Sequence, residues 1–451
     1  MKKVNLNRKA ALAIGMSALL VASAVSAQSV EDSADPIQRQ SAVTGEQAVP
    51  RTEIMPSSEG VSVTEVTYSV YGVPAAPVFP AAPLSPAVPK QALTVAPTAA
   101  QKSLLAVTNG KNHTLVLDDE GQLWIWEGKT ANKEETGAYN RMLPFHYPGL
   151  EHVSAIAGGE SHNMALTDDG TLWGWGNSQF GQVGNGSSEQ ETPVPVLSGV
   201  KAVASGAIHT VALKEDGTVW SWGDNTYGQL GIGTTEQAGM PVQVPRLAGV
   251  RQVFAQDFSS AAILEDGSLF TWGANNAGQL GEGTMADRST PTNVLTAVYS
   301  AALGSNHMLA LMSDGTVQAW GDNSYGQLGD GTTAGRLLPA AVPGLSGISM
   351  LAAGNGQSLA LTVEGEVWSW GNNNKGQLGL GQVGDQTSPA RIEDLQDILY
   401  IQANANSSAA IQTNGLLYRW GDLPTSRPGK RKWEAIMEPM PLQTFSVRTA
   451  D

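Results

Sequence analysis

Residues His209 to Gly223 read HTVALKEDGTVWSWG, and variants of this pattern occur seven times along the chain. Two short β-prone runs flank Asp216-Gly217, a dipeptide that favours the positive φ angles of a two-residue hairpin turn. Trp220 and Trp222 are two positions apart, so both lie on one face of a strand. The stretch therefore predicts an antiparallel β-hairpin.

The hairpin recurs with a period near 50 residues, which is typical of propellers and solenoids. Its second tryptophan is found at positions 126, 175, 222, 272, 320, 370 and 420. Thirteen residues earlier the repeats carry His113, His162, His209, Ser259, His307, Gln357 and Ser407. The interval from each tryptophan to the next such position varies from 34 to 37 residues. The pattern indicates rigid units separated by loops.

A glycine-rich motif follows the hairpin in five of the seven repeats. Residues 223–234 read GDNTYGQLGIGT, and similar runs begin at Gly176, Gly273, Gly321 and Gly371. The glycines have no Lys-Ser/Thr after them, unlike a phosphate-binding loop, and hydrophobic residues interrupt the oxygen spacing of a calcium loop. The motif therefore predicts a structural turn.

The combined run H-x-x-A-L-x-x-D-G-x-x-W-x-W-G-x-N-x-x-G-Q-L-G-x-G-T resembles the regulator-of-chromosome-condensation repeat, over about residues 100–445. The resemblance implies an all-β, seven-bladed propeller with four-stranded blades, in agreement with the seven repeats counted. The first and seventh repeats lack G-Q-L-G. The first also lacks the Pro-Val-rich strand that precedes the others, such as 192–197, and residues 438–442 resemble that piece. We predict that 438–442 close the ring.

Residues 1–27 have the organisation of a secretory signal peptide. A basic start is followed by an apolar run over about 10–21 and by Ala22-Ser-Ala-Val-Ser-Ala27, with cleavage expected after Ala27 or Ala24. A single N-terminal anchor is the alternative interpretation. We expect a protein exported to the periplasm, the cell surface or the medium.

Residues 28–99 are predicted to be a disordered, acidic segment followed by a proline-rich stalk. Proline recurs at every third position from Pro74 to Pro89, which matches the three-residue turn of polyproline II. This stretch is interpreted as a stiff spacer, with a docking ligand for an aromatic groove as the alternative. Residues 100–451 form the predicted propeller domain.

Composition excludes several classes of function. The chain has 451 residues, a formal net charge of -15 and no cysteine, so disulfides, thiolate metal sites and thiol nucleophiles are excluded. The acidic balance argues against nucleic-acid binding. No later stretch of about 20 apolar residues predicts a membrane span.

A histidine repeated about every 50 residues could converge on the central shaft and bind a metal ion. Ser259, Gln357 and Ser407 replace histidine there, so a hydrogen-bonding role in the fold is the better interpretation. No Gly-x-Ser-x-Gly elbow or isolated carboxylate pair stands out. We expect no catalytic residue, no metal, no cofactor and no enzyme; a hydrolase or lyase acting at the shaft is the alternative.

The resemblance also suggests functions. The eukaryotic chromatin member of the family is a guanine-nucleotide exchange factor, whereas exported bacterial propellers similar to this family inhibit β-lactamase through one propeller face. We expect a monomeric, exported, non-catalytic scaffold that binds an unidentified protein, and keep a regulator of a GTPase as the alternative.

Departures from the repeat indicate where a partner binds. One lies at 128–145 and another at 422–433, which holds the cluster Arg427, Lys430, Arg431, Lys432 and Trp433. This sector is predicted to contact an acidic protein, a glycan or an anionic surface, and a solvated loop is the alternative. The position before Gly-Gln gives further candidates, Phe180, Tyr227 and Tyr325, with Ala277 and Lys375 as its other occupants.

Overall fold

A computed structural model describes residues 104–109, 113–127, 145–147, 149–427 and 430–441. The predicted signal peptide, the segment 28–99 and most of the departure at 128–145 lie outside these residues. The described residues form seven antiparallel sheets of four strands each, arranged as a seven-bladed propeller. The predicted fold class is therefore confirmed.

The strands are numbered β1 to β28 in chain order, and four consecutive strands make a blade. Blade 1 contains β1 Leu104–Asn109, β2 His113–Asp118, β3 Leu123–Glu127 and β4 Phe145–His146. Blade 2 contains β5 Val153–Gly158, β6 His162–Thr167, β7 Leu172–Asn177 and β8 Glu189–Leu197. Blade 3 contains β9 Val200–Ser205, β10 His209–Lys214, β11 Val219–Gly223 and β12 Ala238–Gln243. Blade 4 contains β13 Val250–Gln256, β14 Ser259–Leu264, β15 Leu269–Gly273 and β16 Arg288–Leu295.

The remaining strands complete the ring. Blade 5 contains β17 Val298–Leu303, β18 His307–Met312, β19 Val317–Gly321 and β20 Arg336–Ala341. Blade 6 contains β21 Ile348–Ala353, β22 Gln357–Thr362, β23 Val367–Gly371 and β24 Gln386–Arg391. Blade 7 contains β25 Ile398–Asn404, β26 Ser407–Gln412, β27 Leu417–Arg427 and β28 Lys430–Pro441.

The Asp-Gly hairpin forms as predicted between the second and third strands, but its turn is longer. In blade 3 the amide of Lys214 donates to Thr218 O at 2.9 Å, and the amide of Gly217 donates to Lys214 O at 3.0 Å. The loop therefore has three residues, 215–217, rather than the predicted two. Gly217 has a φ of 79°, and Asp216 Oδ1 accepts the amide of Thr218 at 2.9 Å. This is the three-residue hairpin that ends in a left-handed glycine.

The tryptophans of the third strands fill the interfaces between blades. Trp222 is fully buried and packs against Met164, Leu166 and Leu172 of the preceding blade. Trp272, Trp320, Trp370 and Trp420 are equally buried in the corresponding clusters. The first tryptophan of the pair is half-buried in blades 2, 3 and 6, as in Trp173, Trp220 and Trp368. Burial of one large ring per interface stabilises the ring of blades.

The ring is closed by packing between blades 7 and 1, and not in the way we predicted. Residues 438–441 do lie in a strand, β28, but it pairs with β27 of its own blade, with Met440 opposite Arg419. Blade 1 meets blade 7 through a buried cluster that includes Val107, Trp124 and Tyr400. The Pro-Val-rich segment misled the prediction because it is the fourth strand of one blade rather than the first of the next, as β8 shows.

Candidate functional site

The propeller has two faces that differ in their loops. Because the strands of a blade are antiparallel, the loops after the first and third strands lie on one face, and the others lie on the opposite face. The loop after the third strand is called the exit loop here, and its side of the ring the exit-loop face. The amide of Asp224, at the start of an exit loop, donates to Ile208 O in the neighbouring loop at 3.0 Å.

The repeated histidine connects adjacent blades. His209 Nε2 lies 2.9 Å from Ser260 Oγ in the next blade, and Ser260 donates its hydroxyl proton to Gln229 O at 2.8 Å. Because Ser260 donates its only hydroxyl proton to Gln229 O, Ser260 Oγ acts as the acceptor in its contact with His209. The neutral imidazole of His209 therefore carries its proton on Nε2. His162 and His307 make the same contact with Thr210 and Ser358. The predicted hydrogen-bonding role in the fold is confirmed.

Burial keeps these histidines neutral. It lowers the pKa of His209 and of His307 to about 4, and that of His162 to about 3. Among the residues that the structure describes, no group of three or more His, Cys, Asp or Glu side chains could hold a metal ion.

The central shaft is narrow and is lined by the first strands of the blades. Its cavity measures about 130 Å³, and small side chains such as Ala157, Ala204 and Ala255 line it. Ligand pockets usually enclose roughly 300–1,000 Å³, so the shaft is too small for a typical substrate. One unusual carboxyl, Asp257, follows a lining residue; burial raises its pKa and the charge of Glu160 adds to this, against a hydrogen bond from Ser305.

Side-chain amides fix the exit loops in one conformation. In blade 3 the amide of Tyr227 donates to Gln229 Oε1 at 2.9 Å, and Gln229 Nε2 donates to Asp224 Oδ2 at 2.6 Å. The amide of Leu230 donates to Asn225 Oδ1 at 2.9 Å. The glutamines of blades 2, 4, 5 and 6 hold their loops in the same way. The G-Q-L-G turn is thus structural, as predicted, and rigid.

The residues before Gly-Gln lie at equivalent positions on this face. Tyr227 is 39% exposed and its ring centroid lies 5.3 Å from that of Phe258 in the next blade. Tyr325 is 41% exposed and lies over Gly356, where an added Cβ would be 3.2 Å from Tyr325 Cδ2. Phe180 is half-buried. These rings therefore pack on neighbouring loops and still present part of their surface to solvent.

Phe258 was not predicted from the sequence. It directly precedes Ser259, at a position where other repeats carry Ile208, Asn306 or Gly356. The only available signal was that this variable position holds an aromatic residue in one repeat. Tertiary packing against Tyr227 makes it part of the candidate surface.

The predicted basic loop is a β-hairpin. In blades 3 to 6 the third strand ends at the glycine equivalent to Gly421, whereas β27 and β28 stay paired beyond Gly421 as far as Arg427 opposite Lys430. Residues 422–435 are called the basic hairpin here. It extends from the exit-loop face, on the same side of the ring as Tyr227 and Tyr325. The side chains of residues 423–441 are outside the structural description.

With this geometry in view, family comparisons identify the architecture. The model for the RCC1-like domain matches residues 83–309, about half of the 451-residue chain. The model for the regulator of chromosome condensation (RCC1) repeat matches residues 314–361 and 364–411, and a second repeat model matches 298–327 and 350–377. The chain belongs to the RCC1-like domain family. No curated protein matches the chain significantly.

Solved structures share the fold. Human WBSCR16 is 23% identical, with a TM-score of 0.61 over 68% of this chain and 85% of its own. Prp20p from Saccharomyces cerevisiae is 23% identical, with a TM-score of 0.60 over 69% of this chain and 82% of its own. Yeast RCC1 (Prp20) bound to Kap60 gives 22% identity and a TM-score of 0.60, over 68% and 79% of the two chains.

Proposed function

We propose that the protein is a non-catalytic scaffold that binds another protein with its exit-loop face. The observation that carries the proposal is the pair of Tyr227 and Tyr325, each about 40% exposed on a loop fixed by a buried glutamine. Tyrosine combines apolar area with a polar tip and is enriched among residues that dominate binding energy.

Rigidity of the loops favours tight binding. Association costs about 0.5–1.5 kcal/mol for each mobile side chain that becomes ordered. Gln229 and Asn225 already hold the backbone amides of Tyr227 and Leu230, so the loop that carries Tyr227 does not have to become ordered on binding. The same argument applies to Tyr325, where Gln327 and Asn323 hold the loop.

The dimensions of the shaft argue for binding rather than catalysis. The hydrolase or lyase alternative needs a deep polar pocket with paired carboxyl groups, whereas the cavity measures about 130 Å³. The described lining residues include no carboxylate. Asp257 has a raised pKa beside the shaft, but the cavity has no room for a substrate between it and an opposing acid.

Family members similar to this chain give the proposal a precedent. Prp20p has binding properties toward Gsp1p and histones, and yeast RCC1 (Prp20) binds Kap60. At 22–23% identity only the fold is shared, so we carry over protein binding in general and no particular partner.

We further propose that the protein is exported and monomeric. The signal-peptide pattern of residues 1–27 supports export. In the described part of the chain, no helix has the length and hydropathy to cross a membrane. A proline in the outer strands of blades 2 to 7, such as Pro241, Pro291 and Pro339, removes a backbone donor from an edge strand and opposes strand pairing between copies. Cell fractionation tests export; an exchange factor for a GTPase would remain in the cytosol.

The binding proposal is tested by affinity capture from the envelope fraction of the native organism, followed by mass spectrometry. We compare the wild-type protein with Tyr227→Ala/Tyr325→Ala. The control is Met240→Ala/Leu338→Ala, because these side chains are 63% and 59% exposed but lie on outer strands. A partner enriched by wild type and control, and reduced at least tenfold by the tyrosine variant, is expected. Equal recovery by all three proteins would refute the role of this face.

A further inference from the structure

The central shaft opens on the exit-loop face through a rim of short loops that follow the first strands. These loops, called the inner rim here, are residues 159–161, 206–208, 257–258, 304–306, 354–356 and 405–406. The amide of Glu160 donates to Ala207 O, and the amide of Ala207 donates to Asp257 O, each at 2.9 Å. A bond from Ser305 to Gly354 O continues the pattern at 3.1 Å. The rim therefore holds its residues at fixed positions around the mouth of the shaft.

Asp257 places a negative charge on this rim. The carboxyl group is half-buried and accepts a hydrogen bond from Ser305, and Gln256 Nε2 lies 3.4 Å from Asp257 Oδ1. Within the described part of the chain, no Lys or Arg forms an ion pair with Asp257. The equivalent positions hold Glu160, Ala207, Ser305, Asn355 and Ala405, with Lys111 of blade 1 outside the described residues. The hydrogen bonds to Asp257 thus come from neutral groups and leave its charge uncompensated.

The shaft beside Asp257 has polar groups at its mouth. Ser205 and Gln256 are the last residues of their first strands, and both line the cavity. Ser205 Oγ is buried and has no hydrogen-bond partner within the described protein, although buried hydroxyls are normally satisfied. The cavity of about 130 Å³ is several times the roughly 15 Å³ that one water molecule needs. The end of a single side chain therefore fits where a typical substrate does not.

An aromatic pair adjoins the carboxyl group. Phe258 follows Asp257 in the same inner loop, and the ring of Tyr227 lies 5.3 Å from that of Phe258 with 59° between their planes. Both residues are partly exposed. Aromatic faces attract cations, so a positively charged side chain near Asp257 has a second favourable contact close by.

The charges of blades 2 to 5 on this face also favour a cation. Arg288 is paired with Glu282 at 2.7 Å, and Arg336 is paired with Asp330. The exit loops and inner-rim loops of these four blades contain no other Lys or Arg. The exposed Lys375 belongs to blade 6 and the basic hairpin to blade 7, so this positive charge lies in a different sector of the face.

We propose that the mouth of the shaft receives an arginine side chain of the partner protein, paired with Asp257 and flanked by Phe258 and Tyr227. The inference rests on the proposed function, because it defines the chemistry at the centre of the exit-loop face. Arginine fits better than lysine because its planar guanidinium stacks on aromatic rings and directs several donors at once toward a carboxylate and a hydroxyl. Arginine is also enriched among dominant interface residues, which cluster near the centre in enclosed pockets.

The test uses acetyl-glycyl-arginyl-glycine amide as the probe, with the citrulline peptide as its neutral isostere. Both peptides are titrated into isotope-labelled full-length protein, and amide shifts are followed by TROSY NMR. The variant is Asp257→Asn, because the φ of Asp257 is 44° and asparagine adopts this left-handed region readily. The control is Asp266→Asn, which removes the same charge from the opposite face of the same blade, at a turn position that Asn414 occupies in blade 7.

We expect the arginine peptide to cause saturable shifts at the amides of Ala207, Phe258 and Ser305, in the wild-type protein and in Asp266→Asn. Asp257→Asn should bind this peptide roughly tenfold more weakly, as expected for the loss of one charged hydrogen bond. The citrulline peptide should cause no saturable shift. Unchanged amide shifts outside the inner rim verify that both variants are folded.

Three results would overturn the proposal. They are the absence of saturable shifts in the wild-type protein, equal affinity for the arginine and citrulline peptides, and equal loss of affinity in Asp257→Asn and Asp266→Asn. A parallel titration with calcium chloride tests a metal ion as the occupant, and saturable shifts at the same amides with calcium alone would also overturn it. The titrations do not use the captured partner, so this proposal and the proposed function fail separately.

Discussion

The carbonyl oxygen of Gln327 accepts the indole N–H of Trp370, in the following blade, at 2.8 Å. The same oxygen accepts the hydroxyl of Ser358 at 2.8 Å, and Ser358 in turn accepts from His307. Glutamine carbonyls at 182, 229 and 377 receive an indole and a hydroxyl in the same way. The G-Q-L-G motif, the tryptophan and the histidine position therefore form one clamp between blades.

Removing the indole N–H donor of Trp370 measures how much this clamp contributes to the free energy of unfolding. Trp370→Phe keeps an aromatic ring in the interface but loses the bond to Gln327, so we expect a loss of about 1–2 kcal/mol in the free energy of unfolding. Trp370→Ala also leaves a cavity and should cost about 3–5 kcal/mol. Urea unfolding measures both. Trp368→Phe, at a half-buried position on the same strand, is the control and should cost less than Trp370→Phe.

The second glycine of the motif is needed for close approach to the clamp. A Cβ at Gly329 would lie 2.8 Å from Trp370 Nε1, and its φ is 73°. We expect Gly329→Ala to destabilise the protein by about 2–4 kcal/mol. Gly344 has a φ of 80° with nothing within 4 Å, so Gly344→Ala isolates backbone strain and should cost about 1 kcal/mol. Equal losses in thermal unfolding would contradict a steric role for Gly329.

The buried histidines make stability depend on pH. Their folded pKa values of about 3 to 4 lie below the unfolded value of 6.5, so the unfolded state binds more protons as pH falls. Above pH 6.5 the histidines are neutral in both states, and they do not lower the free energy of unfolding. As the pH falls from 6.5 to about 4, the free energy of unfolding decreases because only the unfolded state takes up protons. At pH 5 each histidine should cost about 2 kcal/mol.

One substitution isolates this effect from the titration of carboxyl groups. Gln357 occupies the histidine position in blade 6 and donates to Ser407 O at 3.3 Å, so glutamine is compatible with the fold. Between pH 7 and pH 5 the free energy of unfolding should therefore fall by about 2 kcal/mol less in His307→Gln than in the wild-type protein. Urea unfolding at the two pH values measures this difference. The same loss in both proteins would show that His307 is not neutral and buried.

How far the sequence predicts the structure depends on the range of the interactions. The hairpins follow from local turn chemistry and strand alternation, and they were predicted. Residues 438–442 were predicted to close the ring, and the pairing of β28 with β27 of its own blade was not foreseen, because long-range strand pairing is not encoded in a short apolar segment. The three-residue turn at 215–217 differs from a two-residue turn only in hydrogen-bond register.

The candidate site was predictable only in part. Tyr227 and Tyr325 stand out because they occupy the variable position before Gly-Gln in a repeated motif. The structure places both side chains on one face of the ring. Phe258 belongs to a different loop of a different blade, and only the packing of adjacent blades brings it to Tyr227. The basic cluster was visible as charge, but its strand pairing was not, since neither side of 428–429 carries the alternating apolar pattern of a buried hairpin.

The central claim, that the exit-loop face binds a protein, is tested most directly by hydrogen–deuterium exchange with and without the captured partner. The account predicts slower amide exchange in exit loops 224–236 and 322–334 on complex formation. The turns at 215–217 and 313–315 on the opposite face should exchange at unchanged rates. Protection of the opposite face, with the exit loops unaffected, would contradict the account.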